Sequence, residues 1–373
     1  MELFSTTEYL ILSGLVLGVV MGATARRARF CTFGAVEDYI LIGKTDRLRA
    51  WALAIAVAIL GVQLLLFADV ARIDQVFYLG PLFGLLGAIV GGLLFGLGMA
   101  MVGTCGYGVI IRAAGGDLKS LCNFLVLAVS GYMTARGLFS IFRNGLIDRF
   151  DFELTGVKGQ GVPHFFEWAF GIDTGPQSSF LWLGFGFLFG GALLYYCFKD
   201  KNFRASRRDV AAGILIGLCV VAAFGSTGYL GSDPFDEVRV QAISYVLPLG
   251  DSLIYLMTYS GSVITFPVAL VLGTFLGSFI MAYWCNELRF ESYDGVREMR
   301  RHMLGAMAMG AGGITAHGCT IGQGISGVST LALSPMIALF SIFVGASFGL
   351  HWVLSGSVRE AFDLLLGRSF NEK

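Results

Sequence analysis

The sequence predicts an all-α membrane protein that crosses the bilayer about nine times. Hydrophobic residues make up 55% of the 373-residue chain, charged residues only 14%, and the mean hydropathy is +0.73. A soluble domain typically carries about a quarter charged residues, so this chain lacks the polar surface that a globule needs in water. Glycine is abundant, with 52 residues against 7 prolines, which is typical of helices that pack closely in lipid.

Runs without charged residues locate the spanning helices, because a span needs about 20 apolar residues. Three of these runs begin at Gln75, Ser252 and His302 and are too long for one helix. Each is therefore predicted to hold more than one element, including re-entrant half-helices. The runs between charged neighbours are 9–25, 50–68, 75–111, 120–135, 174–198, 210–232, 252–286 and 302–358.

Clusters of basic residues mark the cytoplasmic side of a bacterial inner-membrane protein. The segments 69–74, 144–178 and 232–251 carry mixed or acidic charge and are predicted to lie outside. This places the N-terminus outside and the C-terminus in the cytoplasm, with 355–370 as a short interfacial helix. The basic clusters are Arg26, Arg27, Arg29, Lys44, Arg47 and Arg49; Lys199, Lys201, Arg204, Arg207 and Arg208; and Arg289, Arg297, Arg300 and Arg301.

The charge balance and the cysteine count exclude two classes of protein. Lys plus Arg equal Asp plus Glu at 26 each, whereas a nucleic-acid-binding protein normally has a basic excess. The seven cysteines are odd in number and lie almost entirely in apolar segments, unlike a secreted disulfide framework. They are predicted to be free thiols.

A glycine and cysteine pattern occurs twice, with every position shifted by 214 residues. We interpret it as an internal duplication within a single membrane domain, 1–373. Its halves are 1–142 and 179–358, joined by an external loop, 143–178. The extra span 50–68 precedes only the first copy of the pattern, so the copies are predicted to point in opposite directions. The recurring positions are Gly91, Gly96, Gly98, Cys105 and Gly108, repeated as Gly305, Gly310, Gly312, Cys319 and Gly322.

The segments 103–108 and 317–322 are the strongest candidates for a binding site. Both are dense in glycine and interrupt a charge-free run, which predicts a helix broken at membrane depth. The N–H groups and the positive dipole end of a broken helix favour an anion. The candidate substrate-binding residues here are Thr104, Cys105, Gly106, Gly108, Gly318, Cys319, Thr320 and Gly322.

A buried thiol stays neutral, so it can donate weakly to an anion that a thiolate would repel. Its soft sulfur would favour an anion with a terminal sulfur of its own. Cys31, beside Arg29, is a third candidate, although Arg29 also fits an ordinary cytoplasmic anchor. For Cys122, Cys197, Cys219 and Cys285 we expect only a packing role. His317 next to Cys319 falls short of the four ligands of a zinc site, and we predict no metal and no cofactor.

At these cysteines the sequence resembles the YeeE/YedE family of bacterial sulfur-transport membrane proteins. The matching stretches are 29–35, which contains Arg29-Phe30-Cys31, then 91–108 and 310–322. The resemblance implies an hourglass-like helical fold that takes up thiosulfate across the inner membrane. It also implies a relay of S–H hydrogen bonds between Cys31, Cys105 and Cys319, with a small cytosolic sulfur-carrier protein of the TusA/SirA type as a partner. Thr104 departs from the family, which commonly has two glycines before the middle cysteine.

The residues leave other functions open. A membrane thiol enzyme would move sulfur or electrons covalently through these cysteines, although the chain has no CxxC pair to support this. A scaffold or a channel would not depend on the thiols at all. A transporter could carry sulfite, sulfide, thiocyanate or a selenium analogue in place of thiosulfate.

Overall fold

The computed structural model describes residues 5–70, 76–153, 157, 159–170, 178–230 and 240–365. Helices dominate this part of the chain, and the only strands described in it are β1 (Leu82–Phe83) and β2 (Phe152–Glu153), which pair over two residues. The prediction of an all-α polytopic membrane protein is confirmed.

Eight helical segments of the described chain are long and apolar enough to cross a membrane. The helix α14 has a comparable length of 20 residues but begins with several charged side chains. The helices are α1 (Thr6–Ala28), α2 (Thr32–Ile42), α3 (Asp46–Phe67), α4 (Leu85–Val102), α5 (Gly106–Ala114), α6 (Leu118–Arg136), α7 (Phe139–Leu146), α8 (Val162–Phe170), α9 (Ser178–Phe198), α10 (Lys201–Ala205), α11 (Arg207–Leu230), α12 (Val246–Met257), α13 (Phe266–Trp284), α14 (Val296–Thr315), α15 (Leu333–Ser355) and α16 (Val358–Leu365).

The three long charge-free runs each hold more than one element, as predicted. The first contains α4 and most of α5, and the second contains the end of α12 and all of α13. The third contains most of α14, a short helix over 320–329 with a π-helical turn, and most of α15.

Two of the segments that we expected to be connections contain helices. The helix α12 begins at Val246, inside the predicted connection 232–251, and includes Asp251. An apolar stretch follows its start, and Pro248 fits in the first turn of a helix, where its missing N–H has no partner to lose. The helix α8 lies inside 144–178 in the same way. The short helix predicted within 355–370 is present as α16, and residues 366–370 of that segment lie outside the described residues.

The repeated glycines hold α4 and α14 together in an antiparallel pair. A Cβ added at Gly91 would come within 2.7 Å of the Gly312 carbonyl oxygen, and one added at Gly98 within 2.5 Å of the Gly305 oxygen. The residue numbers therefore rise on one helix as they fall on the other. Only glycine allows two backbones to approach this closely, as small residues do at helix contacts in membranes.

The neighbouring helices follow the same reciprocal arrangement. The helix α4 also packs on α15, where Gly96 faces Ala346, and α14 packs on α6, where Gly310 faces Gly131. A shift of 214 residues carries α6 onto most of α15 and α3 onto α13, so the prediction that the span 50–68 precedes only the first copy of the pattern is wrong. Each glycine-rich helix thus contacts the helix that follows the break in the other copy. The helix pairs α1 with α13 and α3 with α11 also pack through glycines, among them Gly18 and Gly217.

Candidate functional site

The three candidate cysteines occupy equivalent positions at the starts of short helices. Cys31 is the N-cap of α2, Cys105 is the N-cap of α5, and Cys319 directly precedes the helical residues 320–329. The Gly108 N–H lies 3.4 Å from the Cys105 sulfur, and the Gly322 N–H lies 3.3 Å from the Cys319 sulfur. Each thiol therefore sits among N–H groups that have no partner within their own helix.

The helix breaks that position these thiols are present in both copies. The helix α4 ends at Val102, and Gly103 then adopts a left-handed conformation, φ +76°, which glycine reaches without strain. In the second copy α14 ends at Thr315, and His317 takes the left-handed conformation, φ +59°. The chain then resumes a helix in each copy, at Gly106 and at Thr320.

The structure brings together the side chains of Cys31, Thr104 and Cys105. The Cys31 sulfur lies 3.9 Å from the Cys105 sulfur and 3.6 Å from the Thr104 hydroxyl. Cys105 and Thr104 are buried, whereas Cys31 is only half-buried. A Cβ at Gly108 would overlap the Thr104 hydroxyl oxygen, so this cluster needs a glycine there. A Cβ at Gly106 would make only ordinary contacts, 3.6 Å or more away.

Cys319 has a different set of neighbours. The Ser244 side chain and the Tyr245 backbone lie within hydrogen-bonding reach of its thiol. A Cβ at Gly322 would come within 2.7 Å of the Ser244 hydroxyl oxygen. This contact makes Gly322 the counterpart of Gly108 in geometry as well as in sequence.

The remaining candidates of the second copy line the same turn. The Gly322 carbonyl accepts a hydrogen bond from the Tyr78 hydroxyl at 2.9 Å, and the Gly318 N–H donates to the Gly313 carbonyl at 2.7 Å. Among the described residues, the fully buried Thr320 hydroxyl has no hydrogen-bond partner. A buried hydroxyl without a partner is costly, so it is available to a polar ligand.

The two thiol sites, one formed by Cys31, Thr104 and Cys105 and the other by Cys319 with Ser244, differ in composition because the residues at matching positions of the pattern differ. The 214-residue shift places Tyr245 at the position of Cys31 and Gly318 at the position of Thr104. The first site therefore has two thiols and one hydroxyl, whereas the second has one thiol and the Ser244 hydroxyl beside it.

A pair of tyrosine rings in contact, tilted by 34° to each other, links the two thiol sites. The ring centroids of Tyr107 and Tyr245 are 4.8 Å apart, and both side chains are fully buried. Tyr107 is two residues beyond Cys105, and Tyr245 adjoins Cys319. The Tyr107 hydroxyl donates to the Met21 carbonyl at 2.7 Å, and the Tyr245 hydroxyl pairs with that of Thr274 at 2.9 Å. These bonds hold both rings in place.

Two adjoining cavities of 310 and 340 Å³ open beside the Cys31 site. The smaller is lined by Cys31, Thr104 and Gly108 together with four arginines and two glutamates, which gives it a net positive charge. The arginines of its wall are Arg26, Arg29, Arg47 and Arg112. A cavity with this charge attracts anions to the half-buried thiol.

Carboxyl groups approach His317, near the second thiol site. The His317 ring packs against Phe77 at 5.4 Å between centroids. Burial raises the pKa of the nearby Asp151 carboxyl, and the Asp148 carboxylate raises it further. Asp148 itself is paired with Arg143 at 3.0 Å. No group of three or more His, Cys, Asp or Glu side chains within the described residues could hold a metal ion.

The other four cysteines lie away from the two thiol sites or contact only packing neighbours. Cys122 and Cys285 are exposed, and the buried Cys197 donates to the Arg49 carbonyl at 3.3 Å. Cys219 is buried in α11, near the tyrosine pair. All seven thiols are free.

Sequence reasoning missed four residues of this region: Tyr107, Arg112, Ser244 and Tyr245. The 214-residue shift could have identified Tyr245, because it marks the counterpart of Cys31. Nothing in the sequence pairs Tyr107 with Tyr245, since the two residues lie in different copies of the repeat.

Comparison with known proteins places these features in a family. A model of the Sulphur transport family matches residues 27–348. The chain is 26% identical over 349 residues to the thiosulfate transporter TsuA of Escherichia coli strain K12, covering 90% of this chain and 92% of that protein. It is 24% identical over 353 residues to TsuA of Spirochaeta thermophila, covering 92% and 99% of the two chains. A shorter match of 104 residues, 29% identical, joins it to the probable transporter YedE of Escherichia coli, covering 28% and 24%.

The family match takes in all three candidate cysteines and both helix breaks, and it confirms the resemblance to YeeE/YedE proteins that the sequence motifs predicted. The chain belongs to the Sulphur transport family.

Proposed function

We propose that this chain carries thiosulfate, or a closely related sulfur anion, across the inner membrane into the cytoplasm. The observation that carries the proposal is the placement of Cys105 and Cys319 at matching helix breaks, which follow the two helices of the antiparallel pair α4 and α14. The family match and the names of two relatives that align over about nine-tenths of the chain support the same class of substrate.

The three thiols would receive the anion in turn. Each can offer an S–H donor and a soft sulfur beside the N–H groups of a helix start. Weak donors suit a carrier, because a ligand held too firmly does not leave. The Cys319 site would pass the anion to the Cys31–Cys105 site, and the contacting Tyr107 and Tyr245 rings would separate for it to pass.

The antiparallel packing of α4 on α14 supports an inverted repeat with halves 1–142 and 179–358. With the N-terminus outside, the arginine-lined cavity beside Cys31 faces the cytoplasm, as basic residues generally do. A small cytosolic carrier of the TusA/SirA type would then receive the sulfur at this face. A cysteine introduced by Ser5→Cys should react with an impermeant maleimide in whole cells, and labelling only in broken cells would reverse this orientation.

Uptake by the purified protein in liposomes tests the substrate. Radiolabelled thiosulfate should accumulate, and unlabelled thiosulfate should compete better than sulfate, which has no terminal sulfur for the thiols to meet. Sulfite, sulfide, thiocyanate and a selenium analogue complete the competitor panel. No uptake above that of empty liposomes would contradict the proposal.

A membrane thiol enzyme is the alternative that the cysteines permit. It requires a covalent sulfur adduct on Cys105 or Cys31 during turnover, whereas a carrier leaves both thiols unmodified. Mass spectrometry of protein quenched during uptake separates the two functions. The relatives that align over most of this chain are named as transporters, which favours the carrier.

A further inference from the structure

We infer that Arg112 and Cys31 form a two-point binding site for an oxyanion with a terminal sulfur, in the cavity beside α5. The guanidinium would hold the oxygen end and the thiol the sulfur end. The identity of the anion rests on the proposed function, whereas the pairing of these two side chains rests on the geometry of the cavity.

Among the described residues, Arg112 differs from the other arginines of this cavity because its side chain has no ion-pair or hydrogen-bond partner. Arg26 pairs with Glu287 at 3.1 Å, and Arg47 pairs with Asp38 at 3.2 Å. Arg29 lies 3.9 Å from Glu287. Within the described part of the chain, the Arg112 side chain makes no ion pair or hydrogen bond, although it lines both cavities.

A role for Arg112 in capping α5 does not explain its position. The Ile111 carbonyl, near the end of α5, accepts a hydrogen bond from the Ser278 hydroxyl at 2.9 Å and a longer one from Arg26 at 3.5 Å. Other side chains already cover this end of the helix. The exposed Arg112 guanidinium is left facing the cavity that contains Cys31 and Thr104.

The chemistry of the two groups matches the two ends of thiosulfate. A guanidinium presents parallel N–H donors that fit two oxygens of a sulfonyl group, and the bonds are strengthened by charge. The Cys31 thiol and the Thr104 hydroxyl, 3.6 Å apart, can meet the terminal sulfur. Sulfate would satisfy only the arginine, and thiocyanate only the thiol. The site would therefore prefer an anion that carries both groups.

The test measures how anions protect Cys31 from alkylation. The purified full chain in detergent is treated with N-ethylmaleimide, and peptide mass spectrometry gives the alkylation rate of Cys31 at increasing thiosulfate, sulfate or thiocyanate concentration. Thiosulfate should protect the wild-type protein at the lowest concentration. Arg112→Gln should raise the half-protecting thiosulfate concentration about tenfold or more, as expected for the loss of a charged hydrogen-bond donor. The half-protecting thiosulfate concentration of Arg112→Lys should lie between those of wild type and Arg112→Gln, because lysine keeps the charge but lacks the paired N–H donors of a guanidinium.

Arg289→Gln is the matched control, because Arg289 lines only the neighbouring cavity. It should change protection less than about twofold, as expected when only long-range attraction is reduced. Equal protection in wild type and Arg112→Gln, or equal losses in Arg112→Gln and Arg289→Gln, would overturn the inference. A wild-type protein that thiosulfate does not protect, but another of these anions does, would contradict the proposed substrate. Protection by sulfate that depends on Arg112 would show an anion site at the arginine alone, because sulfate has no terminal sulfur for the thiol, and would overturn the two-point site.

Discussion

The sulfur atoms of Cys31 and Cys105 lie 3.9 Å apart, although 74 positions separate the two residues in the sequence. The contact exists because α2 and α5 begin side by side, each with a cysteine at its N-cap. One thiol of the pair is half-buried beside the arginine-lined cavity, and the other is fully buried. The thiol pair therefore lies between the cavity and the buried interior of the protein.

This proximity predicts that the two thiols can be joined by an oxidant. Diamide, which takes two electrons and two protons from a thiol pair, should convert Cys31 and Cys105 to a disulfide and stop thiosulfate uptake. Dithiothreitol should restore uptake. Peptide mapping of the oxidised protein checks the pairing, with Cys31→Ala as the control that cannot form it. A Cys122→Ala, Cys285→Ala variant removes the two exposed thiols. If diamide still inhibits this variant while peptide mapping finds Cys31 and Cys105 as free thiols, the assignment is contradicted.

Gly108 is predicted to be essential for uptake because it leaves room for the first thiol site. The added methyl group of Gly108→Ala would overlap the Thr104 hydroxyl and lie 3.5 Å from the Cys31 sulfur. Overpacking of this kind costs about 1–3 kcal/mol, so the initial rate of thiosulfate uptake should fall about tenfold or more. Adding Thr104→Gly should recover part of the rate by removing the clashing hydroxyl. Gly191→Ala is the control, because no described atom outside the neighbouring backbone of its own helix lies within 4 Å of the added carbon. Wild-type uptake by Gly108→Ala would show that this space is not needed.

The glycine contact between α4 and α14 predicts a loss of stability on substitution. A Cβ at Gly98 would lie 2.5 Å from the Gly305 carbonyl oxygen, so Gly98→Ala must push the two backbones apart. The expected loss is about 1–3 kcal/mol, measured as a lower thermal unfolding midpoint of the protein in detergent. Gly184→Ala, in the open part of α9, should leave the midpoint unchanged. Equal midpoints for both variants would mean that the close approach of α4 and α14 contributes little.

The tyrosine pair predicts how well Cys319 is shielded. Tyr245→Ala removes one ring of the pair and should raise the alkylation rate of the fully buried Cys319 several-fold, whereas Tyr245→Phe keeps the ring and should not. Mass spectrometry measures both rates, with the buried Cys197 in the same sample as a reference for general loosening. A parallel rise at Cys197 and Cys319 would contradict a specific barrier at the tyrosines.

Much of this fold could be predicted from the sequence, because lipid demands long apolar helices and the sequence displays them directly. The breaks near Cys105 and Cys319 were also predictable, since a run too long for one helix must be interrupted and a cluster of glycines marks the place. The start of α12 was missed because the charge of 232–251, including Asp251, is typical of a connection between spans. The contacts that stabilise this helix are with residues distant in the sequence.

The composition of the site was harder to predict. The contact of Cys31 with Cys105 depends on where two helix starts meet, and the Tyr107–Tyr245 contact depends on how the two copies of the pattern pack. In the sequence, Arg112 is one basic residue among many. Only the structure shows that Arg26 and Arg47, which line the same cavity, have ion pairs, whereas Arg112 has none in the described chain. These are long-range relationships that no local pattern contains.

Thiosulfate uptake by single cysteine variants in liposomes tests the central claim most directly. Cys105→Ala and Cys319→Ala should each abolish uptake, although the membrane contains as much of each variant as of the wild-type protein. Cys122→Ala should leave the uptake rate unchanged. Uptake by Cys105→Ala at the wild-type rate would contradict a path that runs through the thiols.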